Sequence, residues 1–304
     1  MLNWMAMTTT TQPPTAPIRL PEWFRQSRGK RQAAVKLSSM LDTDIPNSIC
    51  HEARCPNRSE CWSKGVLTFM IMGTTCTRNC GFCSVAHGKP PEAPDPNEAQ
   101  TIVNAINKLG LRFVVLTSPN RDDLPDGGSG HYAHIVRAIK THYPQVKVEV
   151  LIPDMKGDPM ALKTVVDAHP DVINHNMETV SELYRIVRRG SLYTRSLALL
   201  KKIKDYNPTM LTKTGFMVGL GETEDQLMQA FRDARDAGVD MITIGQYLKP
   251  TRDNLDVIRY YHPDEFISLK AKAESLGIRH VFSGPLVRSS YMAEHVFDDV
   301  VAYD

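Results

Sequence analysis

The stretch VLTFMIMGTTCTRNCGFC, Val66 to Cys83, decides how the rest of the chain is read. Its first half, VLTFMIMG (Val66 to Gly73), is an unbroken apolar run of strand length that ends on a glycine, and it predicts a buried strand. Its second half sets Cys76, Cys80 and Cys83 in the spacing Cys-x3-Cys-x2-Cys directly after that strand. Thiolates are soft ligands suited to zinc or iron–sulfur clusters. This triplet has no fourth cysteine beside it.

Just before the strand, CHEARCPNRSEC carries a second triplet, Cys50, Cys55 and Cys61, spaced Cys-x4-Cys-x5-Cys. The chain has 6 cysteines, and all of them fall between residues 50 and 83. Disulfides are expected to scatter as staples through small secreted chains, so this grouping points to two metal sites instead. Structural zinc generally wants four ligands. The nearby histidines are His51, which directly adjoins Cys50 and is badly spaced for joint chelation, and His87. A 4Fe–4S cluster held by three thiolates leaves one iron open. An open iron is useless in a simple electron carrier, where four cysteines are usual. It is useful where a small molecule must bind the cluster and receive an electron.

Downstream, β-rich runs alternate with amphipathic segments. PNEAQTIVNAINKLG puts Ala99, Ile102, Val103, Ile106 and Leu109 on one helical face. LRFVVLTS, VKVEVLIP, DVINHN, LTKTGFMVGL, MITIGQYL and HVFSGP continue the strand series. Between them the pattern predicts helices over HYAHIVRAIKTHY and near residues 159–168, 181–187, 193–204, 224–237 and 263–276. About six βα units plus one extra strand imply an α/β fold, an incomplete (βα)6 TIM-like barrel rather than the closed eight-unit form. Polar residues gather just after strands, at Thr117, Ser118, Asn174 to Glu178, Gly219 to Glu222 and Gln246, where α/β folds keep their active sites. With no internal repeat and no long linker, no separate second domain is expected. The expected divisions are a lead-in at 1–19, an N-terminal cysteine-rich extension at 20–65, the barrel at 66–280 and a short C-terminal extension at 281–304.

Composition adds bounds. At 42% hydrophobic and 23% charged residues with net charge +2, the chain reads as a soluble globular protein with no call to wrap a polyanion or nucleic acid. No apolar run approaches bilayer length. The Thr/Pro-rich start, MLNWMAMTTTTQPPTAP, lacks the apolar core of a secretory signal. A disordered lead-in and a cytoplasmic protein without membrane contact are expected. The basic run RQSRGKRQ, Arg25 to Gln32, reads as a solvated arm.

The Cys-x3-Cys-x2-Cys triplet, with Phe82 before its last cysteine, resembles the radical S-adenosylmethionine superfamily, whose partial βα barrel agrees with the element count. The two triplets together resemble the lipoyl synthase family. NRSECW, RDDLPDGGSGH, NHNMETV, TKTGFMVGLGE, GQYLKPT and GPLVRSSY read like that family's signatures, from roughly Leu20 to nearly the end of the chain. The resemblance implies that Cys76, Cys80 and Cys83 hold a 4Fe–4S cluster. Its open iron binds the amino and carboxylate groups of S-adenosylmethionine, and one electron then releases a 5′-deoxyadenosyl radical. The same resemblance makes Cys50, Cys55 and Cys61 the ligands of an auxiliary 4Fe–4S cluster, the sacrificed source of two sulfur atoms inserted at the sixth and eighth carbons of an octanoyl chain on a carrier lysine. It selects Ser290 over Ser289 as that cluster's fourth ligand.

Other implied contacts to S-adenosylmethionine are Thr117 and Ser118 for its amino or carboxylate end, Asn176 and Glu178 for its ribose, and Arg195 for its carboxylate. Where family members often carry Val-Asp, this chain has Pro119-Asn120, which leaves those two positions without an assigned role. The implied partners are octanoylated lipoyl carrier domains (2-oxoacid dehydrogenase E2 subunits and the glycine cleavage H protein). A low-potential donor such as ferredoxin or flavodoxin and an iron–sulfur carrier that rebuilds the auxiliary cluster complete the set. The competing readings are a two-cluster electron carrier, a zinc-stabilised binding module, and a sulfur-inserting enzyme of the biotin synthase or methylthiotransferase type. Biotin synthase-like chains lack the N-terminal triplet, and methylthiotransferase-like chains usually carry additional domains.

Overall fold

The computed structural model describes residues 19–24, 47–53, 55, 57, 61, 67–291, 293, 294 and 297. The lead-in as far as residue 18, the basic run Arg25 to Gln32 and Trp62 lie outside them. Strands among the described residues are β1 (Thr68–Met70), β2 (Thr75–Cys76), β3 (Ala86–His87), β4 (Phe113–Thr117), β5 (Lys147–Leu151), β6 (Val172–Asn174), β7 (Leu211–Val218), β8 (Met241–Gln246) and β9 (His280–Gly284). The helices are α1 (Ile49–Glu52), α2 (Glu98–Leu109), α3 (Ser129–His142), α4 (Pro159–Val166), α5 (Tyr184–Val187), α6 (Tyr193–Tyr206), α7 (Glu224–Asp236) and α8 (Pro263–Ser275).

Strands β1, β4, β5, β6, β7, β8 and β9 form one sheet in that order, and every neighbouring pair is parallel. In this sheet each strand but β9 is followed by a helix before the next strand of the sheet, which gives the six βα units and extra strand expected. Among the described residues the end strands β1 and β9 do not pair, so the barrel is open. No described helix is long and apolar enough to cross a membrane.

Local chemistry explains the elements. A parallel sheet packed on both faces needs continuously apolar strands, and β4 (FVVLT) and β8 (MITIGQ) are buried at every position. Helix α2 buries Ala99, Ile102, Val103 and Ile106, and stops at Gly110 in a left-handed conformation, φ 60°. Helix α4 starts on the side chain of Asp158 with Pro159 in its first turn. Helix α7 starts on a reciprocal Thr223–Gln226 cap.

The main core lies between strands and helices, with Val114 and Leu116 among Ile102, Ile106, Ile135 and Ile139. A smaller cluster joins Phe113, Val115, Val172 and Met241 to Ala293 and Phe297. Since Phe113, Val172 and Met241 begin their strands, Ala293 and Phe297 pack at the end of the barrel opposite the cysteines. Within the sheet, fully buried Lys213 meets Glu149 at 3.0 Å, and Asn174 donates to the same carboxylate at 2.9 Å.

Two boundaries differ from expectation. The first strand is Thr68–Met70 rather than all of Val66 to Gly73, because Met72 (φ 64°) and Gly73 (φ 87°) turn left-handed. Strand β9 runs to Gly284, so the expected boundary at 280/281 falls inside it.

Candidate functional site

The sharp turn after β1 delivers the cysteine loop to the carboxyl end of the sheet. A left-handed Met is costly, and three side chains hold it. Both carboxylate oxygens of Glu98 accept from the Met72 amide, at 3.0 and 3.2 Å, and Arg121 Nη1 donates to the Met72 carbonyl at 2.8 Å. His131 Nε2 steadies Glu98 at 2.6 Å. Gly128 leaves room for the Met72 thioether, which a Cβ there would strike. The RDDLPDGGSGH segment therefore braces this turn.

Beyond it, β2 and β3 pinch the ends of the loop together, pairing Cys76 with His87. The loop is strung between distant elements. The Gly81 amide donates to Val187 O and the Leu255 amide to Gly81 O, both at 2.9 Å, and Asn254 Nδ2 donates to Cys83 O at 2.8 Å. Arg78 grips Asp122 through two nitrogens at 2.7 and 2.8 Å, Asp154 at 2.6 Å and Ser191 at 2.9 Å. Cys76 Sγ accepts from the Arg78 amide at 3.4 Å, the Asn120 amide at 3.3 Å and Asn120 Nδ2 at 3.8 Å.

The second triplet hangs on β1. The Ser48 hydroxyl donates to Thr68 O at 3.1 Å and accepts from the Cys50 amide at 3.2 Å. The Cys55 amide donates to Cys50 O at 3.1 Å, and the Cys61 amide to Asn57 O at 3.0 Å. Asn57 in turn donates to Leu286 O, which ties this triplet to the segment after β9.

Both triplets face one cavity of about 540 Å³ at the carboxyl end of the barrel. Its lining holds Cys50, Cys55, Cys61, Cys76, Cys80 and Cys83 together with Ser289 and Ser290. Of the other expected positions, Thr117, Ser118, Asn176 and Glu178 also line it. Thr117 Oγ1 donates to Leu151 O at 3.1 Å, and Ser118 Oγ accepts from Tyr132 at 3.0 Å. Asn176 Nδ2 donates to Glu178 Oε1 at 3.0 Å and to Ser289 Oγ at 3.1 Å. Phe82 is a lining residue that packs beside Val187, Leu220 and Tyr247.

Arg195 is not among the lining residues and pairs with Asp154 at 3.2 Å. The guanidinium facing the cavity in that region is Arg188, which sequence reasoning passed over. Arg188 is 7% exposed, donates to Asn176 O and to Tyr184 Oη (2.7 Å), and leaves its buried Nε without a partner. The segment IVRRG offers two adjacent arginines, and only packing selects between them. Asn120, left without a role by the sequence, donates to the remote Cys76 sulfur, and Arg288 lines the cavity; neither relation is visible in the local sequence. Gly219 of GLGE is where the Arg259 backbone comes too close for any Cβ, and Glu222 closes that turn on the Gly219 and Leu220 amides.

Electrostatics favour an anionic occupant. Of the basic lining residues, Arg78 is paired with Asp122 and Asp154 and Lys249 with Asp256, which leaves Arg188 and Arg288 beside the one lining carboxylate, Glu178. Burial raises the Glu178 pKa, opposed by Arg188 and by Asn176. Burial lowers that of Arg288, opposed by Cys55 and Glu178. Burial also pushes the thiols of Cys80 and Cys83 up to about 11 and about 12. Such thiols become thiolates only against metal charge. His51, largely exposed, faces Glu52 at 3.3 Å, and His87 is exposed. Two thiolate triplets on one cavity, with both nearby histidines turned to solvent, fit two iron–sulfur clusters better than zinc ions that want four ligands each. The buried, partnerless Oδ1 of Asn176 is a further polar atom a ligand would satisfy.

Residues 70–234 match the model of the radical SAM superfamily. The chain is 52% identical over 253 residues to the lipoyl synthase of Rubrobacter xylanophilus, covering 83% of this chain and 78% of that one. It is 47% identical over 277 residues to the lipoyl synthase of Desulfotalea psychrophila, covering 91% and 92%. Among solved structures, the fold is similar to methylornithine synthase (TM-score 0.51, 15% identity, 92% and 89% covered). It is also similar to Streptococcus suis SuiB bound to S-adenosylmethionine (TM-score 0.56, 13% identity, 84% and 60% covered).

Proposed function

The chain belongs to the lipoyl synthase family of the radical SAM superfamily, and from that premise we propose how its residues divide the work. The enzyme uses two 4Fe–4S clusters and S-adenosyl-L-methionine to insert two sulfur atoms into an octanoyl group carried on a lysine of a lipoyl carrier protein. When bound, these groups supply a radical able to remove hydrogen from the unactivated sixth and eighth carbons, and the sulfur that replaces it.

Cys76, Cys80 and Cys83 hold the cluster that meets S-adenosylmethionine, and the Arg78 and Asn120 donors settle on the Cys76 sulfur. Cys50, Cys55 and Cys61 hold the auxiliary cluster, with Ser290 as its fourth ligand. The observation that carries this reading is that both triplets and the Ser289–Ser290 pair line one cavity. Ser290 is favoured over Ser289 because Asn176 already occupies the Ser289 hydroxyl at 3.1 Å, whereas the Ser290 side chain makes no hydrogen bond among the described residues. A serine oxygen is a harder donor than a thiolate and is more easily lost to protonation, so it suits a cluster that must open.

Thr117 and Ser118 flank the amino end of S-adenosylmethionine, and Asn176 and Glu178 its ribose. For its carboxylate the candidates are Arg188, which faces the cavity, and Arg195, which must first leave Asp154. Replacing each with Lys and measuring S-adenosylmethionine affinity decides between them, since Lys keeps the charge but loses the bidentate fork.

The specific carriers we propose are 2-oxoacid dehydrogenase E2 subunits and the glycine cleavage H protein. Ferredoxin or flavodoxin serves as electron donor, and a separate iron–sulfur carrier rebuilds the auxiliary cluster. A cytoplasmic setting suits six cysteines that form no disulfide. The test is an oxygen-free assay with an octanoyl-lysine peptide, read by mass spectrometry for added sulfur. Cys55→Ala should still cleave S-adenosylmethionine yet yield no dithiolane. Dithiolane formation by that variant would refute the assignment.

A further inference from the structure

Arg78 sits between Cys76 and Cys80, with its side chain 5% exposed and all three guanidinium nitrogens engaged. Two of its partners are carboxylates. Asp122 accepts from Nε and Nη2, and fully buried Asp154 accepts from Nη2 at 2.6 Å on Oδ1. The other oxygen of Asp154 faces Arg195 at 3.2 Å. Asp154 opens a turn in which Met155 (φ 44°), Lys156 (φ 53°) and Gly157 (φ 82°) are all left-handed. Its Oδ1 also accepts from the Lys156 amide at 3.1 Å, which ties the carboxylate into that turn. Two left-handed residues other than glycine are costly, and such strain persists only where the surroundings impose it.

Anchoring the cysteine loop does not call for this arrangement. Ser191 already holds Nη1 at 2.9 Å, and the Gly81 amide and Asn254 fasten the loop elsewhere. Neutral acceptors would serve without the large penalty of taking a carboxylate out of water. What the carboxylates add is charge. Arg78 and Arg195 against Asp122 and Asp154 sum to zero; Lys156 adds a cation nearby, but an exposed one that water screens. Burial by itself would raise the Asp154 pKa, yet Arg78 holds it down at about 2, so the carboxylate is charged at neutral pH. The Arg78 charge also reaches the thiols: with Arg188, it opposes the burial that pushes Cys80 up. Left uncancelled, such a cation would stabilise the added electron of a reduced cluster and make it a weaker reductant.

We propose that Asp154 and Asp122 act through Arg78 to keep the reduction potential of the neighbouring cluster low, by cancelling the one cation that its cysteine loop carries. This rests on the reading that Cys76, Cys80 and Cys83 hold the cluster that meets S-adenosylmethionine. The two acids are positioning residues. Neither lines the cavity, and each acts only through the arginine that does.

The experiment titrates oxygen-free, two-cluster protein and follows both midpoints by EPR, the signal that S-adenosylmethionine perturbs marking the cluster concerned. Iron and sulfide counts come first, so that only fully loaded protein is compared. Asp154→Asn keeps the size and an acceptor oxygen but leaves Arg78 uncancelled. Reduction should become about tenfold easier, a midpoint about 59 mV higher, the scale of one unit charge on the order of 10 Å away in a protein interior. Asp122→Asn, at the more exposed carboxylate, should move the midpoint the same way by less. Arg78→Gln should move it the opposite way, which mere loosening of the loop would not do. The auxiliary cluster should hold its midpoint in all three and serves as the internal reference. No shift in the Asn variants, a shift of both clusters alike, or a shift of one sign in Arg78→Gln and the Asn variants overturns the proposal. Where Asp154→Asn does not load, Asp122→Asn and Arg78→Gln decide by their signs. A perturbed signal that survives in Cys80→Ala overturns the assignment of the triplet, and the charge argument with it.

Discussion

Replacing Gly245 with Ala should separate sulfur insertion from S-adenosylmethionine cleavage. Gly245 ends its pairing with β9 opposite Gly284, and the carbonyl of Val287 lies directly over it. A Cβ there would land deep inside that carbonyl oxygen, with the carbonyl carbon at 3.0 Å and Arg288 Nη1 at 3.1 Å. The clash is with backbone, so no rotamer relieves it. The segment must retreat by roughly 1 Å, and it carries Ser289 and Ser290; a misplacement of that size is worth about 100-fold in rate. Overpacking of this kind also costs about 1–3 kcal/mol, a fall of several degrees in Tm. Gly284→Ala is the graded control, because its Cβ would meet the movable side chain of Val287 at 3.3 Å. The assay counts iron and sulfide, then follows deoxyadenosine and dithiolane in the same oxygen-free reaction. Gly245→Ala should keep deoxyadenosine near wild type and lose about two orders of magnitude in dithiolane. Dithiolane made at the wild-type rate would show that the loop over Gly245 does not set the fourth ligand.

Three further outcomes are expected. Ser290→Cys should assemble both clusters by iron and sulfide count yet release sulfur poorly, since a closed thiolate set does not open; wild-type product formation contradicts it. Asn120→Leu removes the side-chain donor to Cys76 Sγ (3.8 Å) while leaving the amide donor at 3.3 Å, so the cluster should become harder to reduce, visible as a more negative midpoint in an EPR-monitored titration. Asn79, a lining residue with no bond to a sulfur among the described contacts, should give no shift when changed to Leu. His175 is buried between Ile152 O (2.8 Å) and Ser196 Oγ (2.9 Å), and burial, with help from Arg188, holds its pKa down at about 4. Between about pH 6.5 and 4 the unfolded chain binds the extra proton, so stability falls as the pH drops, by about 2 kcal/mol at pH 5. Denaturant midpoints should show this in wild type and not in His175→Gln.

The barrel was legible because its information is local. Apolar runs such as FVVLT at β4 and MITIGQ at β8 can only be strands buried on both faces, and the helix between Glu98 and Leu109 announces itself by its period and its glycine stop. The end of β1 was not legible, because the left-handed turn at Met72 is imposed from outside by Glu98, Arg121 and His131. Nothing in the sequence near Met72 states that preference.

The site divides the same way. The two cysteine triplets declare their ligand chemistry within a few residues, since chelation at fixed spacing is a short-range property of the chain. Which arginine faces the cavity was decided by packing alone: Arg195 is drawn to Asp154, while Arg188 is buried against Tyr184 and Asn176. So was the placing of Cys55 and Ser290 on one cavity, and the contact of Asn176 with Ser289, residues more than a hundred positions apart. Residue types and their spacing determined what this chain can bind. The register of seven parallel strands, and two glycines small enough to let a distant loop approach, decided which of those groups share a cavity, because a hydrogen bond or a metal ligand acts over ångströms and only the folded sheet sets distances that short.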